Sequence, residues 1–110
     1  MRIMIEDGAA MFELKWATKP KYRQPKASRM RIPVGQWVHL KARLHLSESA
    51  DGQVQLWQDE TKLIDEQGQT LPLAGAVYDS LEIGISAHSF GPNPATVYVD
   101  DVAISDQPLD

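Results

Sequence analysis

The chain has 110 residues, a size that suits one domain with a modest core. It has no cysteine, which excludes disulfides and thiolate metal sites, and no apolar run approaches the roughly 18 residues of a membrane-spanning helix. The first residues lack the charged and apolar regions of a signal peptide. We therefore expect either a cytoplasmic protein or a piece of a longer secreted one, and the sequence does not decide the localisation.

The net charge of −4 hides an uneven distribution. Residues 1–46 hold ten of the eleven Lys and Arg residues with only three acids, a balance of +7. Residues 47–110 hold a single Lys with twelve acids, a balance of −11. Such asymmetry indicates that the halves attract each other, within one chain or across a dimer, or that the basic half meets an anionic partner. Two solvated surfaces of opposite sign are the third interpretation.

The N-terminal region predicts a β-hairpin followed by a basic loop. Residues 2–6 read as a strand, Asp7-Gly8 as a turn, and residues 10–16 as a second strand with Trp16 on its core face. Residues 18–33 contain three prolines and no periodicity, so we expect a long loop. This loop either binds a polyanion or is a solvated connection, and its cations are Lys19, Lys21, Arg23, Lys26, Arg29 and Arg31.

Residues 37–46 alternate strictly between apolar and polar side chains, which predicts a strand with one face in a core and one in water. The predicted core face is formed by Val38, Leu40, Ala42, Leu44 and Leu46. The predicted water face carries an aromatic ring, two imidazoles and two cations without an acid, namely Trp37, His39, Lys41, Arg43 and His45. A row of this composition suits a sugar ring together with a carboxylate or sulfate.

The rest of the chain predicts further short strands. Residues 53–58 alternate with Val54 and Leu56 inward, and residues 62–65 form a short partner strand. Residues 81–87 alternate again, and the last strand covers residues 96–104. No segment keeps a helical period for more than a turn. Six or seven short strands separated by turn signals predict an all-β fold, an antiparallel β-sandwich or jelly roll spanning residues 1–110 as a single domain.

Four segments resemble a known superfamily. They are Gly-Gln-Trp-Val-His-Leu at 35–40, Asp-Gly-Gln-Val-Gln-Leu-Trp at 51–57, Leu-Glu-Ile-Gly-Ile-Ser-Ala-His-Ser at 81–89 and Thr-Val-Tyr-Val-Asp-Asp-Val at 96–102. In order and spacing they resemble the concanavalin A-like lectin/glucanase superfamily, in particular its heparin-lyase-like and glucuronan-lyase-like members. The resemblance covers about residues 35–105 and implies a jelly roll that receives a polysaccharide. Such domains are usually longer, so the chain is a truncated piece, a minimal sandwich, or a half-roll completed in a dimer.

The resemblance also bears on catalysis. Aligned on Gly84, the position of the Tyr that transfers the proton in alginate-lyase-like relatives is Ser86, a hydroxyl too weakly basic for that role. One of the histidines, His39, His45 or His88, would have to serve as the base, with Arg43 or Lys41 holding the uronate carboxylate. The acid pair of a glycosidase is not recognisable either. A polysaccharide lyase or glycoside hydrolase fragment is therefore the alternative rather than the first expectation.

A structural calcium is a further expectation from the resemblance. The segment Val-Asp-Asp-Val at 99–102 is similar to the end of laminarinase-type glycoside hydrolases, in which the Asp matching Asp100 binds calcium. Carboxylate oxygen suits this ion. The alternative is that Asp100 and Asp101 cap a bulge or face solvent.

We expect a non-catalytic carbohydrate-binding module for anionic polysaccharide. Its ligand-binding residues are predicted to be Trp37, His39, Lys41, Arg43, His45, Gln55, Trp57 and His88. The alternative for both tryptophans is packing at the sandwich edge. A second alternative function is a structural or assembly module that forms a homodimer. A membrane partner is not expected, and nucleic acid is disfavoured by the pI of about 5.3.

Overall fold

The computed structural model describes residues 1–85 and 95–109 and divides the chain into two units, Met1–Val77 and Tyr78–Asp110. The first unit contains two small antiparallel sheets, each with three strands. The only helix in the described residues is a single 3-10 turn at Lys26–Ser28, and no helix there is long and apolar enough to cross a membrane. The expectation of an all-β chain is confirmed for the described residues, and the sandwich or jelly roll stays a prediction.

The first sheet has the order β1-β2-β3, with strands Arg2–Glu6, Ala9–Glu13 and Lys21–Tyr22. The predicted hairpin is confirmed: Asp7 and Gly8 both have positive φ, which a tight turn requires. The prediction that the second strand continues to residue 16 is wrong. The chain turns after Leu14, whose N–H donates to the Pro20 carbonyl at 2.7 Å, and Trp16 is consequently exposed rather than in the core.

The second sheet has the order β4-β5-β6, with strands Leu40–His45, Gln53–Gln58 and Thr61–Gln67. The β5–β6 ladder skips Leu63 at an irregularity beside Trp57, so that Leu63 and Ile64 are both buried. Strand β6 is longer at both ends than the 62–65 segment predicted from the sequence, because the ladder extends from Thr61 to Gln67.

The core of the first unit contains residues from both sheets. Alternation places Ala10 and Phe12 of β2, and Val54 and Leu56 of β5, in one buried cluster. The cluster consists of Ala10, Phe12, Leu14, Tyr22, Val54, Leu56, Leu63 and Ile64. The inward orientation predicted for Val54 and Leu56 is confirmed.

The 18–33 segment is more structured than the predicted loop. It contributes β3, and Tyr22 lies in the core. The buried Gln24 amide donates to the Ala10 carbonyl at 3.0 Å and to the Met30 carbonyl at 3.1 Å, which ties the segment to β2. Several of its cations form ion pairs, because Arg23 lies 2.6 Å and Lys21 3.2 Å from the carboxylate of Glu6.

Strand β4 lies at the edge of its sheet, and the prediction that its apolar face is buried in a core is wrong. Leu40 and Leu44 each keep 38% of their surface exposed, Leu46 keeps 41%, and Ala42 is exposed as well. The strand pairs with β5 on one side, while the cluster described above is centred on β2, β5 and β6. The alternation therefore identified the strand and its two faces but not the burial.

The described residues of the second unit, 78–85 and 95–109, contain no strand. The predicted strands at 81–87 and 96–104 are therefore not observed in the parts that the structure describes. Their apolar side chains are exposed, including Leu81, Ile83, Ile85, Val97 and Val99. Extended segments of this kind become strands only when a neighbouring strand supplies the ladder hydrogen bonds.

Candidate functional site

The register of the second sheet brings most of the predicted ligand-binding residues together. Lys41 lies opposite Trp57, Arg43 opposite Gln55 and His45 opposite Gln53, so all six side chains point to the same side of the sheet. The β5–β6 register adds Lys62, Asp65 and Gln67. We call this surface the cationic face, and its members are Lys41, Arg43, His45, Gln53, Gln55, Trp57, Lys62, Asp65 and Gln67.

Trp57 occupies the middle strand of the cationic face and contacts a cation from each neighbouring strand. The Lys41 ammonium lies 4.6 Å, and the Lys62 ammonium 5.5 Å, from the centroid of the indole ring. Both distances are within the range in which a cation is attracted to an aromatic ring. In this arrangement Trp57 contacts two ammonium groups, and a sugar ring that stacks on it would compete with them for the indole ring.

Asp65 is the acid that the sequence interpretation of this face did not include. Its carboxylate accepts a hydrogen bond from the Gln53 amide at 2.8 Å and one from the Lys62 ammonium at 3.0 Å. Hydrogen bonds from Lys62, Gln53 and Gln55 hold the pKa of Asp65 below its ordinary value, so it is ionised at neutral pH. With three cations and one carboxylate, the cationic face keeps a positive balance that is concentrated on β4.

Arg43 and His45 are the two residues of the cationic face nearest to the C-terminal end of β4. The Arg43 guanidinium donates to the Gln55 amide oxygen at 3.5 Å, which leaves most of its donors free. The His45 ring nitrogen Nδ1 lies 3.1 Å from the carbonyl oxygen of Asp51 in the turn that leads to β5. A proton on Nδ1 would donate to this carbonyl and leave Nε2 as the accessible nitrogen.

The end of β4 is fixed by the buried residue Thr70. Its hydroxyl donates to the His45 carbonyl at 2.8 Å and accepts from the Ser47 N–H at 2.8 Å. Gly52 makes room for this arrangement, since a Cβ at this position would lie 2.6 Å from the Thr70 hydroxyl. These residues position His45 and Arg43 although they lie outside the cationic face.

The remaining predicted site residues have different outcomes. The Asp59 N–H donates to the His39 carbonyl at 2.7 Å, and the His39 N–H donates to the Asp59 carboxylate at 3.1 Å, which places His39 beside the cationic face. Trp37 precedes β4, and 70% of its surface is exposed. Within the described residues it is therefore not packed in the way that the sandwich-edge alternative requires. His88, like Ser86, lies outside the described residues.

Asp100 lies in the second unit, where its side chain accepts a hydrogen bond from the N–H of Asp101 at 2.8 Å. Asp101 has a positive φ of 51°. The described residues contain no group of three or more His, Cys, Asp and Glu side chains that could hold a metal ion. The described residues therefore provide no further ligand beside Asp100 for the calcium ion expected from the resemblance.

Sequence reasoning missed four members of the cationic face, Gln53, Lys62, Asp65 and Gln67. Alternation along β5 could have found Gln53, and a partner strand that begins at Thr61 could have found Lys62 opposite Trp57. Asp65 and Gln67 reach this face only through the irregularity at Leu56 and Trp57, which no local pattern marks. Comparisons of the chain with protein-family models, curated proteins and solved structures find no match.

Proposed function

We propose that the chain is a non-catalytic carbohydrate-binding module, a short concanavalin A-like jelly roll that takes anionic polysaccharide on the cationic face. The observation that supports this most directly is the register of β4 and β5, which aligns Lys41, Arg43 and His45 beside Gln55 and Trp57. Amide, guanidinium, ammonium and indole groups on one sheet face can meet the carboxylates, hydroxyls and ring faces of a sugar chain.

Arg43 is the proposed carboxylate or sulfate ligand. A guanidinium offers a planar pair of donors that matches the two oxygens of a carboxylate, and such pairs are stronger than neutral hydrogen bonds. The Gln55 amide oxygen, in a side chain that is almost fully buried, accepts one hydrogen bond at 3.5 Å from the guanidinium without neutralising it. The other guanidinium N–H groups are the proposed donors to the ligand.

Lys41 and Lys62 have different roles in this proposal. The Lys62 ammonium already binds Asp65 at 3.0 Å, so it contributes less to an incoming anion. Lys41 contacts the Trp57 ring and is the cation next to Arg43 on β4. An anionic sugar chain would therefore place its acidic groups along β4.

Asp65 makes the β6 side of the cationic face chemically different from the β4 side. A carboxylate repels a uronate or sulfate group but accepts hydrogen bonds from sugar hydroxyls. With cations on β4 and Asp65 on β6, the bound chain would direct acidic groups toward Arg43 and hydroxyl groups toward β6. Neutral glucans would lose the first interaction and bind more weakly.

The test is affinity electrophoresis in gels that contain alginate, glucuronan, heparin or a neutral glucan. We expect retardation in the anionic gels, a smaller effect in the neutral gel, and reduced retardation in the anionic gels for Arg43→Ala. Lys26→Ala is the matched control, because it removes an exposed cation of the 18–33 segment and not of the cationic face. Unchanged retardation of Arg43→Ala, or equal retardation of both variants, would contradict the proposal.

The same proteins distinguish binding from catalysis. A lyase would release unsaturated uronates that absorb in the ultraviolet, and we expect none from the retarded protein. If such products form and are lost in His45→Ala or His39→Ala, the lyase alternative replaces the binding module.

The second candidate function is an assembly module that forms a homodimer. The observation that favours it is the exposed apolar face of β4, with Leu40, Ala42 and Leu44 at a sheet edge. An edge strand of this kind is a template for another strand.

A further inference from the structure

This inference rests on the second candidate function and names the surface and the segment through which two copies would meet. In the described residues β4 pairs with β5 alone, so one side of the strand presents backbone N–H and C=O groups to solvent. Exposed strand edges are usually blocked by charge, proline or bulges because they recruit other strands. Strand β4 is regular over six residues and contains no proline.

The side chains of β4 define what can pair with it. Leu40, Ala42 and Leu44 are exposed on one face, so the added strand must carry apolar side chains at alternate positions. Lys41, Arg43 and His45 form the other face, so a second β4 strand would place like charges opposite one another and is disfavoured. The complementary strand therefore alternates apolar and acidic or small residues.

The chain itself contains a segment with this pattern, although it is not a strand in the structure. Residues 81–85 read Leu-Glu-Ile-Gly-Ile, with apolar side chains at 81, 83 and 85 and an acid at 82. Leu81, Ile83 and Ile85 are 61%, 52% and 44% exposed, so this apolar row is as uncovered as that of β4. Residues 78–110 contain six acids and no Lys or Arg, opposite in sign to β4.

We infer that the open edge of β4 binds residues 81–85 of a second copy of the chain, and that two copies exchange these segments reciprocally. When the two segments are centred on each other, Ile83 lies opposite Ala42, a large side chain against a small one. In the antiparallel direction Glu82 lies opposite Arg43 and Gly84 opposite Lys41. We infer the antiparallel direction, because parallel pairing, which would put Glu82 opposite Lys41, is slightly less stable per residue.

A reciprocal exchange produces the closed twofold symmetry that is common among homodimers. It also uses the charge asymmetry of the chain, because each copy offers one basic edge and one acidic segment. Such a contact weakens with salt, since exposed opposite charges are screened at high ionic strength.

The experiment is sedimentation equilibrium of the full chain and of two charge-reversal variants, Arg43→Glu and Glu82→Arg. We expect a dimer for the wild type at low salt and a dissociation constant that rises at least tenfold for each variant alone, by the loss of one complementary pair in each of two contacts. Mixing the two variants restores the dimer. In the mixed dimer the substituted position 43 of one variant meets the substituted position 82 of the other with opposite charges, while the native pair of Arg43 and Glu82 forms in the second contact.

Glu48→Arg is the matched control, an exposed acid in the turn that follows β4, and we expect it to dimerise like the wild type. Two results would overturn the inference. If the wild type is monomeric at all concentrations, both the assembly function and the inferred interface are wrong, and another partner must bind the edge of β4. A wild type that dimerises, with variants that dimerise equally well alone and mixed, would keep the assembly function and place the interface elsewhere.

Discussion

Replacing Gly52 by alanine tests the packing that fixes the end of β4. A Cβ on Gly52 would clash with the carbonyl oxygen of Gly68 and would lie 2.6 Å from the Thr70 hydroxyl. The nearest atom is backbone, and the Gly68 N–H donates to the Gly52 carbonyl at 2.9 Å, so the two backbone segments cannot separate without losing this hydrogen bond. An ordinary carbon–oxygen contact of about 3.4 Å would require a shift of roughly 1 Å in a close-packed region.

The expected cost follows from this clash. Overpacking typically costs about 1–3 kcal/mol, and we expect the upper end because backbone rather than a flexible side chain must move. For a domain of this size, about 3 kcal/mol lowers the melting temperature by roughly 12–24 °C. The assay is thermal and urea unfolding of the full chain, followed by circular dichroism.

Gly35→Ala is the control for the added methyl group. No atom lies within 4 Å of the position that its Cβ would occupy, but its φ of +78° makes alanine strained there. We expect a cost of about 1 kcal/mol from the backbone conformation alone. If Gly52→Ala is no less stable than Gly35→Ala, the close approach of residues 52, 68 and 70 is refuted.

Three further predictions concern charge, binding and the core. Arg43→Ala should weaken the binding of an anionic polysaccharide by roughly twofold to fivefold, as expected for one exposed charged contact, with Lys26→Ala unchanged in the same titration. Hydrogen bonding to Arg23 lowers the pKa of Glu6 to about 2, so its contribution to stability is present above the ordinary value of 4.5 and is lost as the pH falls toward about 2. The difference in unfolding free energy between the wild type and Glu6→Gln should therefore shrink over this interval, and a constant difference would contradict the assignment. Leu56→Ala, at a fully buried position of β5, should lower the free energy of unfolding in urea by about 2–5 kcal/mol. A loss below about 1 kcal/mol would contradict the placement of Leu56 in the core.

Local alternation was sufficient to predict the hairpins of the first unit. The Asp7-Gly8 turn and the Val54 and Leu56 face of β5 required only a period of two and a turn signal, and both are present in the structure. The same period placed Lys41, Arg43 and Trp57 on one side of their strands. That placement led directly to the cationic face once the register was known.

The sequence could not predict burial, because burial depends on what lies above a strand rather than on the strand itself. Leu40 and Leu44 have the pattern of core residues but belong to an edge strand. Trp16 has the same pattern, yet the turn after Leu14 removes it from the sheet. Tyr22 is the opposite case: it lies between prolines in a segment without periodicity and is nevertheless in the core.

The composition of the site depended on long-range pairing in the same way. Asp65 changes the character of the cationic face, but its place there follows from an irregularity at Leu56 and Trp57 that no local pattern marks. Ion pairs between the 18–33 segment and distant acids, such as Lys19 with Glu66 at 2.9 Å, likewise depend on the fold. These pairs weaken the prediction that the segment itself binds a polyanion.

The most direct test of the cationic face is a titration of the isotopically labelled protein with an oligouronate, followed through its indole N–H signals. The chain has three tryptophans, so three assigned signals report on three places at once. We expect a saturable shift of the Trp57 signal, because its ring lies against Lys41 at the centre of the cationic face. The signal of Trp16, which follows β2 in the other sheet, should stay in place. A Trp57 signal that does not move while the oligosaccharide binds, or a shift confined to Trp16, would contradict the proposed binding surface.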